Sequence, residues 1–176
     1  THLKRRPRPE IGAARSILDD LLLNWLVLHP HLAHREVWRS TVLNCVREFM
    51  RQCKQNYRYN TALTKFWDWL PSGLLYDQQV AVSVMACCQR RMTDEVYSVF
   101  RAVFVTGGVA PDMESLSLLM HTFSSCRHVT AADVLDIHGQ MKKLAGAVGL
   151  SVVSTSHVIQ AMCAVGLMAE AQEVFE

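Results

Sequence analysis

Residues Val153 to Phe175 read VSTSHVIQAMCAVGLMAEAQEVF, a pattern of one helix, a tight break and the start of a second helix. Val158, Ile159, Met162 and Cys163 fall at the three- and four-residue steps of a single helical face. Gly166 follows where a helix C-terminus belongs, because glycine adopts positive φ without steric cost. Ala171 and Phe175 then lie four apart on one side of the next helix. A small residue followed one turn later by a large one lets two helices approach closely and fills the gap between them.

A related pair recurs upstream, at Ala62 and Phe66, Val96 and Phe100, and Asp133 and Ile137. The large members of successive pairs are 34, 37 and 38 residues apart. Large apolar residues follow the first three pairs, at Trp69 and Leu70, at Phe104 and at Met141. Two helices per unit at such a period predict an all-α fold built as a solenoid of helix-turn-helix repeats.

Composition agrees with a folded, helix-rich chain. Half of the 176 residues are hydrophobic, 19% are charged, and glycine and proline are few. The longest apolar stretch, Ile17 to Leu28, is interrupted by Asp19, Asp20 and Asn24, so no membrane span is expected. Six cysteines lie in or beside apolar helical faces without CxxC spacing, which points to thiols in a reduced compartment. The net charge of +2 is uneven: residues 1–58 hold eleven Lys and Arg against five acids, residues 59–176 seven against eleven. That asymmetry places an anionic partner at the N-terminal end.

Residues 1–9, THLKRRPRP, form a basic arm whose two prolines keep it extended. A solvated tail, a targeting leader and a phosphate-binding peptide are all consistent with Lys4, Arg5, Arg6 and Arg8 in that setting. Residues 10–39 read as an N-terminal helix or a worn repeat, with Ile17, Leu21, Leu22, Trp25 and Leu28 on its apolar face. His29, His31 and His34 follow around Pro30, without the carboxylate or thiolate that a metal site wants, and read as a loop. Ser40 to Tyr57 is the clearest amphipathic helix. Val42, Val46, Phe49 and Cys53 occupy one face, and Arg47, Arg51, Lys54 and Arg58 another about 140° away at about 100° per residue. No acid stands four residues before any of these cations, so the stripe is expected to be unneutralised and suited to phosphates, a solvated face being the plain alternative. Thr61 to Leu70 supplies the second helix, with Trp67 and Trp69 as packing residues. Further pairs are expected at Gln78 to Gln89 with Thr93 to Val105, and at Met113 to Cys126 with Thr130 to Leu144. Asp112, after Pro111, is placed to cap a helix.

At Val109-Ala110-Pro111-Asp112 and at Gly166-x4-Ala171-x3-Phe175 the chain resembles the pentatricopeptide repeat family, whose unit is a helical hairpin of about 35 residues. The resemblance covers roughly residues 40–176, as about four hairpins with the last one cut short, and the units at 42–77 and 113–151 are degenerate. It implies a right-handed α-solenoid that binds single-stranded RNA in mitochondria or plastids, one base per repeat. Carried over to this sequence, the base-facing positions are Arg47, Ala81 or Val82, Ser117 and Ser156, and the closing-loop positions are Asp77, Asp112 and Ser151. Ala81 or Val82 beside Asp112 offers half of a hydrogen-bonding pair, and Arg47 suits a phosphate better than a base edge. The expectation is therefore a non-catalytic component of a mitochondrial ribonucleoprotein, such as the mitoribosome. It would contact single-stranded or ribosomal RNA through Lys4, Arg5, Arg6, Arg8, Arg47, Arg51, Lys54 and Arg58, with Ser117, Ser156, Asp77 and Asp112 on the base side. No cofactor, metal or membrane is expected. The alternative is a scaffold resembling tetratricopeptide repeat proteins, which grips partner proteins without RNA.

Overall fold

The computed structural model describes residues 11–25 and 36–176. The basic arm with Lys4, Arg5, Arg6 and Arg8 lies outside the described residues, as do Leu28, Arg35 and the His29, His31 and His34 loop. The described residues are all-α: α1 (Ile11–Asp19), α2 (Glu36–Gln55), α3 (Tyr59–Trp69), α4 (Gln78–Cys88), α5 (Thr93–Phe100), α6 (Met113–Phe123), α7 (Ala131–Ala145), α8 (Val152–Ala164) and α9 (Met168–Phe175). Wide π-helical turns extend α1 through Asp20–Trp25 and α5 through Arg101–Thr106. The chain divides into two compact units, one ending at Leu74 and the other beginning at Leu75.

In the first unit α2 buries Val42, Val46, Phe49 and Cys53, the face expected from the sequence, together with Leu43 and Met50. Its partner α3 buries Ala62, Phe66 and Trp69, and Phe49 meets the Trp69 ring at 5.3 Å. Each such aromatic side chain contributes about 2–3 kcal/mol of transfer free energy. α2 begins four residues earlier than expected and stops at Gln55, so Arg58 does not continue the helical stripe. Tyr57 takes φ 58°, the Arg58 amide bonds back to the Cys53 carbonyl at 2.8 Å, and the Tyr57 amide to Lys54 at 3.3 Å. That is a Schellman ending with tyrosine where glycine usually sits.

On α1 the expected face is met at Leu22, with Leu21 half-buried, and missed at Ile17. Leu18 and Leu22 are buried, whereas Ile17 is exposed. Asp19 beside them is a structural anchor: one carboxylate oxygen accepts from Lys65 Nζ at 2.9 Å and from Trp69 Nε1 at 2.8 Å. Arg15 approaches the other oxygen at 3.6 Å, and Asp68 lies 3.0 Å from Lys65. Lys65 is thereby buried with two carboxylate partners.

The second unit consists of three hairpins, α4–α5, α6–α7 and α8–α9, and its first helices touch in series, α4 against α6 and α6 against α8. Each first helix opens on a capping side chain. Asp77 accepts from the Val80 amide, Asp112 from Ser115 and Ser151 from Ser154. Asp112 with Ser115, and Thr130 with Asp133, form complete capping boxes, each satisfying two otherwise unpaired helix-end donors. Gly166 has φ 84°, and Leu167 donates to the Met162 carbonyl at 2.9 Å, so the final hairpin turns where the sequence placed it. Gly107 packs against the Tyr76 ring so closely that a Cβ there would overlap it.

The repeat register differs from the expected one in the third pair. Ala62, Val96, Val134 and Ala171 are each the fourth residue of their helix, and all four are buried. By that register the small member of the third pair is Val134 in place of Asp133 and the large position falls to His138, while the expected Ile137 beside it is buried too. Asp133 is a capping residue that also accepts from Tyr97 Oη at 2.7 Å. His138 fills the position that Phe66 and Phe100 fill elsewhere. It is 6% exposed, and its Nε2 has no hydrogen-bond partner among the described residues. Phe175, the fourth large member, is 80% exposed.

Candidate nucleic-acid interface

The cations expected to line one face come from the second half of α2 and the turn that follows. Arg47 is half-buried and donates to the Asn44 side-chain oxygen, a neutral partner that leaves its charge uncompensated. Lys54 and Arg58 are exposed, and neither side chain has a hydrogen bond or ion pair among the described residues. Arg51 behaves differently. Its guanidinium donates twice to Glu48, at 2.7 and 2.6 Å, and Gln52 adds a third bond at 2.7 Å. These bonds, the Arg51 pair foremost, hold the Glu48 carboxyl down at about 2. The stripe is therefore not wholly unneutralised, because an acid three residues away lies as close on a helix as one four away.

An aromatic pair that sequence reading passed over flanks Arg58. Tyr57 is exposed and Tyr59 half-buried, with ring centroids 6.2 Å apart in an edge-on arrangement. The signal was the tripeptide Tyr-Arg-Tyr at 57–59: an aromatic surface beside an uncompensated guanidinium is the composition of a single-strand-binding platform.

The base-side candidates belong to the second unit. Ser117 and Ser156 occupy the same position, the fifth residue, of the adjacent first helices α6 and α8. Ser117 is half-buried, lies 3.2 Å from His157 Nδ1 and accepts from Ser154 at 3.5 Å, whereas Ser156 is exposed. Asp77 and Asp112 cap helices, and the second carboxylate oxygen of Asp112 accepts from Gln78. Most of these polar atoms are thus engaged within the fold. Two histidines join the same ladder: His121 Nδ1 lies 2.7 Å from Gln89 Nε2, and the His121 and His157 rings meet edge to face at 4.6 Å. Burial, then the neighbouring His121, pushes the His157 pKa down.

On the second-helix side, Tyr97 is pushed up to about 12 by burial and by its bond to Asp133, and Arg101 lies 5.9 Å over its ring. A cavity of about 490 Å³ opens between α1 and α2, lined chiefly by Ile17, Leu18, Leu21, Trp38, Val42 and Phe49. Among the described residues no cluster of three His, Cys, Asp or Glu side chains could hold a metal ion, and no helix is long and apolar enough to cross a membrane. No protein-family model matches the sequence, and no curated protein or solved structure matches it either.

Proposed function

We propose that this chain is a non-catalytic RNA-binding protein of the pentatricopeptide kind, a right-handed solenoid of helical hairpins. It serves as a structural or assembly component of a mitochondrial ribonucleoprotein such as the mitoribosome. The observation that carries the reading is the second half of α2 with the α2–α3 turn, where Arg47, Lys54 and Arg58 keep their charge uncompensated and Tyr57 and Tyr59 flank the last of them. Such a surface neutralises phosphates and stacks bases without reading them, and each phosphate contact releases counterions. The serial first helices and the capped hairpins support the repeat assignment. Engagement of Ser117, Asp77 and Asp112 inside the fold favours contact by shape and charge over a base code.

The test is binding of the chain to a fluorescent single-stranded RNA pool across a salt series, beside a triple Arg47→Gln, Lys54→Gln, Arg58→Gln variant. The logarithmic salt slope is about −0.7 per phosphate for single strands, so the triple variant is expected to lose about two units of slope. Arg51→Gln, already paired with Glu48, should lose much less. Undiminished binding by the triple variant contradicts the assignment. No binding by the intact chain, even at low salt, leaves the protein scaffold as the working reading.

A further inference from the structure

We infer that two neighbouring turns of the second unit, residues 89–92 between α4 and α5 and residues 124–130 between α6 and α7, form a second phosphate-binding surface for single-stranded RNA. That surface rests on the RNA-binding reading above and uses none of the cations of α2 or the α2–α3 turn. Its residues stand out because the second unit is acidic: residues 75–176 hold six Lys and Arg against ten Asp and Glu. Three of those six cations, Arg90, Arg91 and Arg127, gather in the two turns together with His128, and the turns themselves contain no acid.

Hydrogen bonds lace the two turns together. Thr93 Oγ1 donates to the Ser125 carbonyl at 3.3 Å, and one Asp94 oxygen accepts the Cys126 thiol at 3.0 Å and the Arg127 amide at 3.1 Å. Gln89 Nε2 lies 2.7 Å from His121 Nδ1 in the last turn of α6. Within the first turn, the Arg91 and Met92 amides both bond back to the Cys88 carbonyl, at 3.0 and 2.9 Å. The Cys126 bond first, then the Arg127 amide, hold the Asp94 carboxyl below its usual value against the effect of burial, and the His128 and Arg127 charges act in the same direction. Both of those side chains therefore stand near the start of α5, just after Arg90 and Arg91. A backbone fixed in this way leaves only side-chain freedom to be lost when a ligand is bound.

Arg90, Arg91, Arg127 and His128 are exposed, and none of their side chains makes a hydrogen bond or ion pair among the described residues. Asp94 is engaged by the thiol and the amide, which leaves Glu95 as the opposing acid in the first turn of α5. Neither turn carries Phe, Tyr or Trp on which a base could stack. No exposed large apolar side chain lies in either turn to seed the core of a protein interface. What remains is charge on a rigid support, which follows a phosphate backbone without reading sequence.

The test is binding of the full chain to the single-stranded RNA pool across a salt series. A triple Arg90→Gln, Arg91→Gln, Arg127→Gln variant is compared with the intact chain and with the Arg47, Lys54, Arg58 triple variant. The turn variant is expected to lose about two units of logarithmic salt slope, at about 0.7 per phosphate, and Lys at the same three positions should retain most of it. Glu95→Gln should tighten binding about threefold at low salt, an effect that fades at high salt. RNA should also shield Arg90, Arg91 and Arg127 of the intact chain from phenylglyoxal, as read by mass spectrometry. An unchanged slope in the turn variant, while the Arg47, Lys54, Arg58 variant loses its own, overturns the turn surface and leaves the RNA-binding reading standing. No binding by the intact chain removes both. Equal slope loss in the Lys variant shows that charge is not what the turns supply, and overturns the proposal as well. So does a turn variant that loses binding to poly-glutamate but not to RNA, which assigns the surface to an acidic protein.

Discussion

The two units hold themselves together by different chemistry. The first unit ties α1 to α3 through one carboxylate, Asp19, which serves a buried ammonium and an indole N–H at once. The second unit distributes its polar bonds between consecutive first helices over several side chains, Gln78 with Asp112, Gln89 with His121, His121 with His157, and Ser117 with His157 and Ser154. A single charged anchor concentrates the consequences of one mutation, whereas a ladder shares them. The same difference runs through the candidate interface. The first unit keeps uncompensated cations at its surface, and the second uses most of its candidate base-reading groups to hold its own hairpins.

The largest effect is expected at the anchor. Asp19→Ala removes one of the two carboxylates beside the buried Lys65 and strands the Trp69 N–H, and should cost about 3 kcal/mol in urea denaturation. Lys65→Met with Asp19→Leu should recover most of that loss. A loss below about 0.5 kcal/mol for Asp19→Ala would mean that the anchor is incidental.

Next comes a contrast within the second unit. Met120 and Ile159 hold the same register position on α6 and α8, one fully buried and one half-buried. Met120→Ala should therefore cost about 3 kcal/mol and Ile159→Ala about 1 kcal/mol in the isolated chain. Equal costs would show that α8 is as well covered as α6.

Acid should separate the units by range. Burial, and then the His121 charge, holds the folded His157 pKa below its unfolded value, and burial does the same to His138. The unfolded chain then binds more protons near neutrality, so the second unit loses stability as pH falls from about 7.5 through these lowered values. Asp19 is held low by Lys65, Trp69 and Arg15, although burial alone would raise it. Its contribution is present above the unfolded carboxyl pKa and disappears only as pH falls through the lower folded one. No histidine occurs among the described residues of the first unit. Hydrogen exchange across pH 7.5 to 5.5 should show the second unit loosening first, and His157→Gln should flatten its slope.

The smallest effect is at Tyr57. Its left-handed backbone costs about 1 kcal/mol in a non-glycine residue, so Tyr57→Gly should stabilise the first unit by up to that amount. The same change should weaken RNA binding if the ring stacks on a base, a divergence that stability alone would not produce.

The hairpins were legible because their punctuation is local. Gly166, Pro111-Asp112 and the small–large pairs act within one or two turns. The register at Asp133 is hidden in the sequence because a histidine, His138, occupies the position that Phe66 and Phe100 hold elsewhere, beside the buried Ile137. Ordinary helical spacing puts Ile17 on the buried face with Leu22, but Leu18 is the residue buried beside Leu22, one turn apart across the change to a wide turn at Asp20. Arg51 looks free on four-residue spacing alone, but Glu48 stands three away and pairs with it. The Asp19 anchor could not be read at all, since its partners are 46 and 50 residues distant and no periodicity links them.

The most direct test of the central claim is photo-cross-linking of a 4-thiouridine single-stranded RNA to the chain, with the linked peptides identified by mass spectrometry. The account predicts links at Tyr57 and Tyr59, lost together with salt-sensitive affinity in the Arg47, Lys54, Arg58 triple variant. Links confined to α6 and α8 around Ser117 and Ser156, undiminished in that variant, would contradict it and move the RNA track to the second unit.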